Sequence, residues 1–219
     1  MTTIIEAVKM ITISIEYELD PENPADMDCQ WKPISFMSGF TNYEPIEKYR
    51  TAYGKRPAWL QKKLEAGTAF TLDYYEHGIG MWFLSDWCKG DQWDTSRGAG
   101  LLLWNHPPGE MGAKTPEDRR KDAEAFLESY NDWCNGWVYW VKIEDARRDL
   151  VEHFSSYSGD SREEDMLRDV APYVAQLLKD NPDLEIEVDD SLGVGFNRKQ
   201  LMDEIAKYNA KEQHGPQTD

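Results

Sequence analysis

Ile11, Ile13, Ile15, Tyr17 and Leu19 alternate with Thr12, Ser14, Glu16 and Glu18, a period of two that predicts a strand with one buried and one wet face. Asp20-Pro21 stops it, and the Pro- and Asp-rich segment 20–28 reads as a loop. Pro45 at a first-turn position, and Ala58, Leu60, Lys63 and Leu64 after Pro57, predict one or two short helices within 44–66. Phe70, Leu72 and Tyr74 alternate before the turn Glu76-His77-Gly78, and Ile79, Met81 and Phe83 alternate after it, which predicts a hairpin. Gly98-Ala99-Gly100 leads into the apolar run 101–104, short enough for a central strand, and Pro107-Pro108-Gly109 closes it.

The clearest helix follows. Thr115 is placed to cap it, Pro116 stands at its first position, and Glu117 and Asp118 face the positive end of its dipole. Ala123, Phe126, Leu127, Tyr130, Trp133 and Cys134 form its inward stripe, and Asn135-Gly136 supplies a left-handed stop. A strand over 137–143 comes directly after. Ala146, Leu150, Val151 and Phe154 are spaced for another helix, and Ser161-Arg162-Glu163-Glu164 resembles a capping box opening a further one, which Pro172 should kink or split. A strand over 185–188 and a last helix from Arg198 to about Lys211, with Leu201, Met202, Ile205 and Tyr208 inward, complete the pattern. The fold class is α+β, a mostly antiparallel sheet with a long packed helix.

Charge narrows the function classes. The chain carries 24 Lys plus Arg against 41 Asp plus Glu, a net −17, so a phosphate-grasping surface is not its main business and direct nucleic-acid binding is disfavoured by its own field. The acidity is local: residues 144–190 hold 15 acids and five bases, a net −10. Three cysteines, Cys29, Cys88 and Cys134, form an odd set that suits a reducing compartment, and no stretch reads as a signal peptide or membrane span.

Candidate chemistry is sparse. His77, His106, His153, His214 and the cysteines make no metal-ligand spacing, so neither a metal nor a cofactor is expected. No nucleophile elbow surrounds a Ser or Cys, and no catalytic residue stands out. Gly193-Val194-Gly195 lacks the further Gly and the Lys of a phosphate cradle and reads as a turn. Trp82, Trp87, Trp93 and Trp104 read as core, with indole N–H groups on internal partners, rather than as base-stacking platforms; some suit a protein interface. Within the acid-rich stretch, Glu152, Asp160, Glu163, Glu164, Asp165 and Asp169 are a candidate partner-binding surface, offering carboxylates where a DNA-binding protein expects phosphates. The plainer alternative is a solvated face that keeps the chain soluble.

Several stretches taken together resemble a family of uncharacterised proteins encoded by bacteriophages and related mobile elements: ISIEYELDPENP at 13–24, LDYYEHGIGMWFL at 72–84, WDTSRGAGLLLW at 93–104, MGAKTPEDRRKDAEAFLESYNDWCNGWVYWVKIE at 111–144 and DSLGVGF at 190–196. Relatives often carry a Cys and an aromatic in the closing motif, where this chain has Leu192-Gly193-Val194, and their connection at 146–183 is shorter. The resemblance implies an α+β core over 1–145, an acidic helical insertion over 146–183, a closing strand, turn and helix over 184–212, and a tail over 213–219. The family carries no assigned activity; its phage setting together with the acidic stretch leads to the expectation of a phage-encoded, non-enzymatic protein in the host cell cytoplasm that binds a host protein, a nucleic-acid-binding defence protein being the sharpest form, with no membrane contact. Two readings of the motif residues stand open. Asp94, Glu128, Tyr139 and Asp190 could close a structural polar network, or with His77 could line a pocket for a small molecule.

Overall fold

The computed structural model describes residues 10–27, 31–85, 93–106 and 115–214. Along the chain run β1 (Met10–Tyr17), β2 (Trp31–Ser35), a short 3-10 helix (Ile46–Tyr49), α1 (Ala58–Glu65), β3 (Ala69–Glu76), β4 (Gly80–Leu84) and β5 (Thr95–Trp104). Then come α2 (Pro116–Asn135), β6 (Tyr139–Asp145), β7 (Leu150–Tyr157), α3 (Arg162–Asp180), β8 (Glu185–Asp189) and α4 (Arg198–His214). The chain divides into two compact units: Met1–Pro21 with Gly136–Asp219, and Glu22–Asn135, which is inserted in sequence between those two pieces. Cys29, Cys88, Trp87, the Pro107-Pro108-Gly109 stop and the end of the tail lie outside the described residues.

The first unit is a four-stranded sheet in the order β7-β6-β1-β8, antiparallel except for the parallel pair β1–β8. Ile11, Ile13 and Ile15 of β1 pair with β6 so that Val141 and Ile143 share their face. That face is buried with Met166, Val170, Ala171 and Val174 of α3 and with Leu201 and Ile205 of α4. Gly195 shows how close this packing is, because a Cβ there would collide with the side chains of Ile15 and Met166.

The second unit is an all-antiparallel sheet, β2-β5-β3-β4. Ala123, Leu127 and Tyr130 of α2 cover one face with Trp31, Leu72, Trp82 and Trp104. Leu60 of α1 covers the other with Ile34, Ala69 and Leu101. Gly100 is required where β5 passes the Ile34 carbonyl and the Trp82 ring. α2 opens as its sequence predicts: the Thr115 hydroxyl accepts from Asp118 N–H and the Asp118 carboxylate accepts from Thr115 N–H, each at 3.1 Å.

α2 also closes an edge of the sheet. The Asn131 side chain accepts from Trp82 N–H at 2.7 Å and donates to Trp82 C=O at 2.9 Å, and Asn135 does the same for Gly80 at 3.1 and 2.8 Å. Four residues of helix rise about 6.0 Å and two residues of strand about 6.7 Å, so asparagines at i and i+4 match alternate residues of β4. A side-chain amide carries the same donor and acceptor as a backbone amide.

The α+β class holds, with several local corrections. The spacing from Ala146 to Phe154 predicts a helix, yet 150–157 is strand β7. Asp145 builds a hairpin there instead: its Oδ1 accepts from Arg147 N–H at 2.8 Å and Asp149 N–H at 3.0 Å while Arg148 takes φ 66°. The segment 146–183 accordingly holds strand β7 as well as helix α3, and α3 supplies core to the first unit rather than standing apart from it. The core expected over 1–145 is shared between the two units. Ser161 has helical angles and forms no cap, its hydroxyl donating to Asp165 at 2.9 Å. α3 runs on through Pro172. On β4 the buried face is that of Trp82 and Leu84, leaving Met81 and Phe83 half-buried. The outer face of β1 is not wet: Thr12 and Ser14 are buried between the longer side chains of Glu144 and Lys142 on β6 and Glu187 and Asp189 on β8. Gly98-Ala99-Gly100 lies inside β5.

Replacing Asn131 by Ala leaves the buried N–H and C=O of Trp82 unpaired. It should lower stability to urea by about 2–4 kcal/mol; a loss under about 0.5 kcal/mol would show that the amide ladder does not matter to the fold.

Candidate functional site

The six acidic residues singled out from sequence all fall in the first unit, but on different elements, and most serve the fold. Glu152 on β7 accepts from His153 N–H at 3.0 Å. Glu163, at the start of α3, accepts from Gln200 Nε2. Asp165 accepts from Ser161 and, at 2.6 Å, from Arg168. Asp169 accepts from the Tyr157 hydroxyl at 3.0 Å and pairs with the same Arg168 at 3.3 Å. Burial together with the Asp169 carboxylate raises the pKa of Tyr157, so that hydroxyl stays a donor. Glu163, Glu164 and Asp165 occupy the first turn of α3, where the helix dipole favours negative charge. Asp160 lies in the exposed turn before it and Glu164 is exposed on α3. The local density of acid thus has a structural cause over most of this set.

A more regular array sits on β8. Glu185, Glu187 and Asp189 are exposed and share one face with Thr12 and Ser14 of β1, opposite the face that packs on the helices. Alternate strand residues repeat every ~6.6 Å, so the three form a row of negative charge. Each neighbouring pair costs about 0.6 kcal/mol in bulk water, which a fold tolerates. None of the three makes an ion pair among the described residues. The same face holds a neutralised centre. Lys142 binds Glu16 at 2.6 Å and lies 4.3 Å over the Trp140 ring. The hydrogen bond from Lys142 holds the Glu16 carboxyl below its ordinary value. The row was legible as the alternation E-I-E-V-D, but weight given to the dense run 160–169 obscured it.

The polar set proposed for a small pocket is divided. His77, Asp94 and Glu128 belong to the second unit, Tyr139 and Asp190 to the first. His77 Nδ1 lies 3.0 Å from Asp94 Oδ2, an exposed pair made because Glu76 N–H also bonds Asp94 C=O at 3.0 Å. Glu128 is exposed on α2. The Tyr139 ring carries the Arg162 guanidinium 5.7 Å above it. Asp190 accepts from Val194 N–H and Gly195 N–H, both at 3.1 Å, so the turn that superficially resembles a phosphate cradle is filled by its own carboxylate.

Trp82 and Trp104 are buried, as a core role requires, whereas Trp93 is 91% exposed. Trp31 donates to Asp122 at 2.7 Å, but the Trp82 indole N–H is buried with no partner among the described residues, contrary to the expectation for a core tryptophan. Cys134 keeps exposed surface, yet neighbouring atoms crowd its sulfur and push the thiol up to about 11, which suits an inert side chain. Among the described residues, no cluster of three or more His, Cys, Asp or Glu could hold a metal ion, and no helix is long and apolar enough to cross a membrane. Compared with known proteins, the chain matches no family model, no curated protein and no solved structure.

Because the Glu16 pKa is lowered in the folded state, its pair with Lys142 stabilises fully above the ordinary carboxylate range and is lost as pH falls through the lowered value. Denaturation of wild type and of Lys142→Met from pH 7 to about pH 3 should give a stability gap that is largest near neutrality and closes on acidification. A gap independent of pH would contradict the pairing.

Proposed function

We propose that the protein binds a basic surface on a host protein, its acidic unit presenting carboxylates where that partner's nucleic acid would present phosphates. A phage-encoded counter-defence or takeover factor in the host cytoplasm is the setting that the sequence resemblance suggests. The β8 row carries this reading: three exposed, evenly spaced carboxylates without a cation among the described residues. Charge supports it more broadly, since the first unit holds 11 basic and 23 acidic residues, a net −12, and the second 13 and 18, a net −5. The candidate surface is therefore Glu185, Glu187 and Asp189, joined by Glu164, rather than the internally bonded Glu163, Asp165 and Asp169.

One contact favours a second reading, a small-molecule or nucleotide binder or an enzyme. A carboxylate against His77 Nδ1 orients the ring and leaves Nε2 able to take a proton. A nucleotide thermal-shift screen tests it, because a ligand at a hundredfold excess over its dissociation constant adds about 2.7 kcal/mol. His77→Ala should then abolish the shift.

For the main reading, immobilised protein is exposed to host extract and then washed with sheared duplex DNA. DNA should release the captured protein, and the triple variant Glu185→Lys, Glu187→Lys, Asp189→Lys should capture none while keeping its circular dichroism. Capture indifferent to both DNA and charge reversal would overturn the proposal.

A further inference from the structure

Within this acidic chain one segment has the opposite charge. Residues 48–63 contain six basic side chains, Lys48, Arg50, Lys55, Arg56, Lys62 and Lys63, and no acidic one. Tyr49, Tyr53 and Trp59 are interleaved with them. The segment folds as one compact piece of the second unit. Tyr49 ends the 3-10 helix, and a tight turn follows in which Thr51 N–H donates to Lys55 C=O at 2.7 Å and Gly54 N–H to Thr51 C=O at 2.8 Å. Lys55 N–H closes the turn on Thr51 Oγ1 at 3.1 Å. α1 then begins at Ala58, and the Trp59 ring stands edge-on to Tyr49 with centroids 6.1 Å apart.

The chemistry on this surface is not consumed by the fold. Lys48 is paired with Glu44, and Lys63 reaches the Trp104 carbonyl. Arg50, Lys55, Arg56 and Lys62 are exposed and make no ion pair among the described residues. Tyr53 is 91% exposed and Trp59 45%. Trp59 and Lys62, at i and i+3, share one face of α1, while Leu60 packs into the core from another.

Three kinds of anion could answer four cations. A lipid surface is the poorest fit, because a membrane-binding helix inserts its apolar face and that of α1 is buried in the core. An acidic peptide would satisfy the cations and leave the rings unexplained. Duplex nucleic acid keeps its bases stacked and out of reach. A single strand uses both features, phosphates on the cations and bases on the rings. The net charge of the chain does not forbid this, since at physiological salt charges beyond about 8 Å are largely screened and the local surface dominates.

We propose that residues 48–63 form a sequence-tolerant site for single-stranded nucleic acid, with phosphates on Arg50, Lys55, Arg56 and Lys62 and bases stacked on Tyr53 and Trp59. The site is independent of the reading given to the acidic unit. Fluorescence anisotropy of the full chain with labelled oligothymidylate, oligouridylate and a duplex of the same length tests it, the first two arms separating DNA from RNA. At least one single strand should bind saturably at about 150 mM salt, and four phosphate contacts should give a log–log salt slope of about −3. Tyr53→Ala, which removes a side chain without packing partners in the core, should weaken binding about fivefold or more. Replacing the four cations by Ala should abolish binding, with circular dichroism unchanged in both variants. No binding of either single strand, equal binding of the duplex, indifference to Tyr53→Ala, or binding of phosphatidylglycerol vesicles in place of the oligonucleotides would overturn the proposal.

Discussion

The second unit depends on how its sheet ends. A four-stranded open sheet leaves the backbone groups of two edge strands to be satisfied, and at β4 two asparagines of α2 do this by extending the ladder with side-chain amides. The same contacts hold the helix at a fixed distance and rotation over the sheet, which lets Ala123, Leu127 and Tyr130 reach Trp82 and Trp104. At the opposite edge, β2 carries Pro33, and the backbone of Ser35 is taken by Asn42 and Glu44. In the first unit, Glu152 and Glu18 accept from N–H groups of β7, and Arg198 donates to the Ile186 carbonyl of β8 at 3.0 Å. Each of the four edges thus has at least one backbone group taken by a side chain or a neighbouring loop.

Blunted edges have a consequence for recognition. A partner cannot readily add a strand to either sheet, so contacts are left to side chains, and the side chains are sorted by charge. The acidic row lies on the edge strand β8, paired on one side with β1, and the basic, aromatic segment lies on a short helix and turn whose apolar side is spent on the core. These are rigid supports for charge, which favours electrostatic recognition with little ordering cost.

Much of this architecture was legible in the sequence because local signals agreed with the tertiary outcome: the cap at Thr115, the stripe of α2, the alternation of β1 and the turn after Glu76. β7 was missed because Ala146, Leu150 and Phe154 satisfy a helical period by chance, while the deciding feature is the Asx turn at Asp145. The asparagine ladder was invisible for a different reason. Asn131 and Asn135 look like solvent-facing positions until β4 is laid beside them. Of the polar set, His77 and Asp94 are in contact, whereas Tyr139 and Asp190 belong to the other unit, a division that no local spacing announces. The acidic set was only partly informative, since charge density does not reveal which carboxylates are already bonded. The basic segment was hidden by the net charge, a sum in which six cations at 48–63 vanish against the excess of acids.

Hydrogen exchange at single-residue resolution tests the closed-edge account most directly. Closure by the asparagine ladder predicts that the Trp82 and Gly80 amides exchange as slowly as interior amides of β5 such as Leu102. Exchange at the rate of a solvent-exposed edge, with β5 still protected, would contradict it.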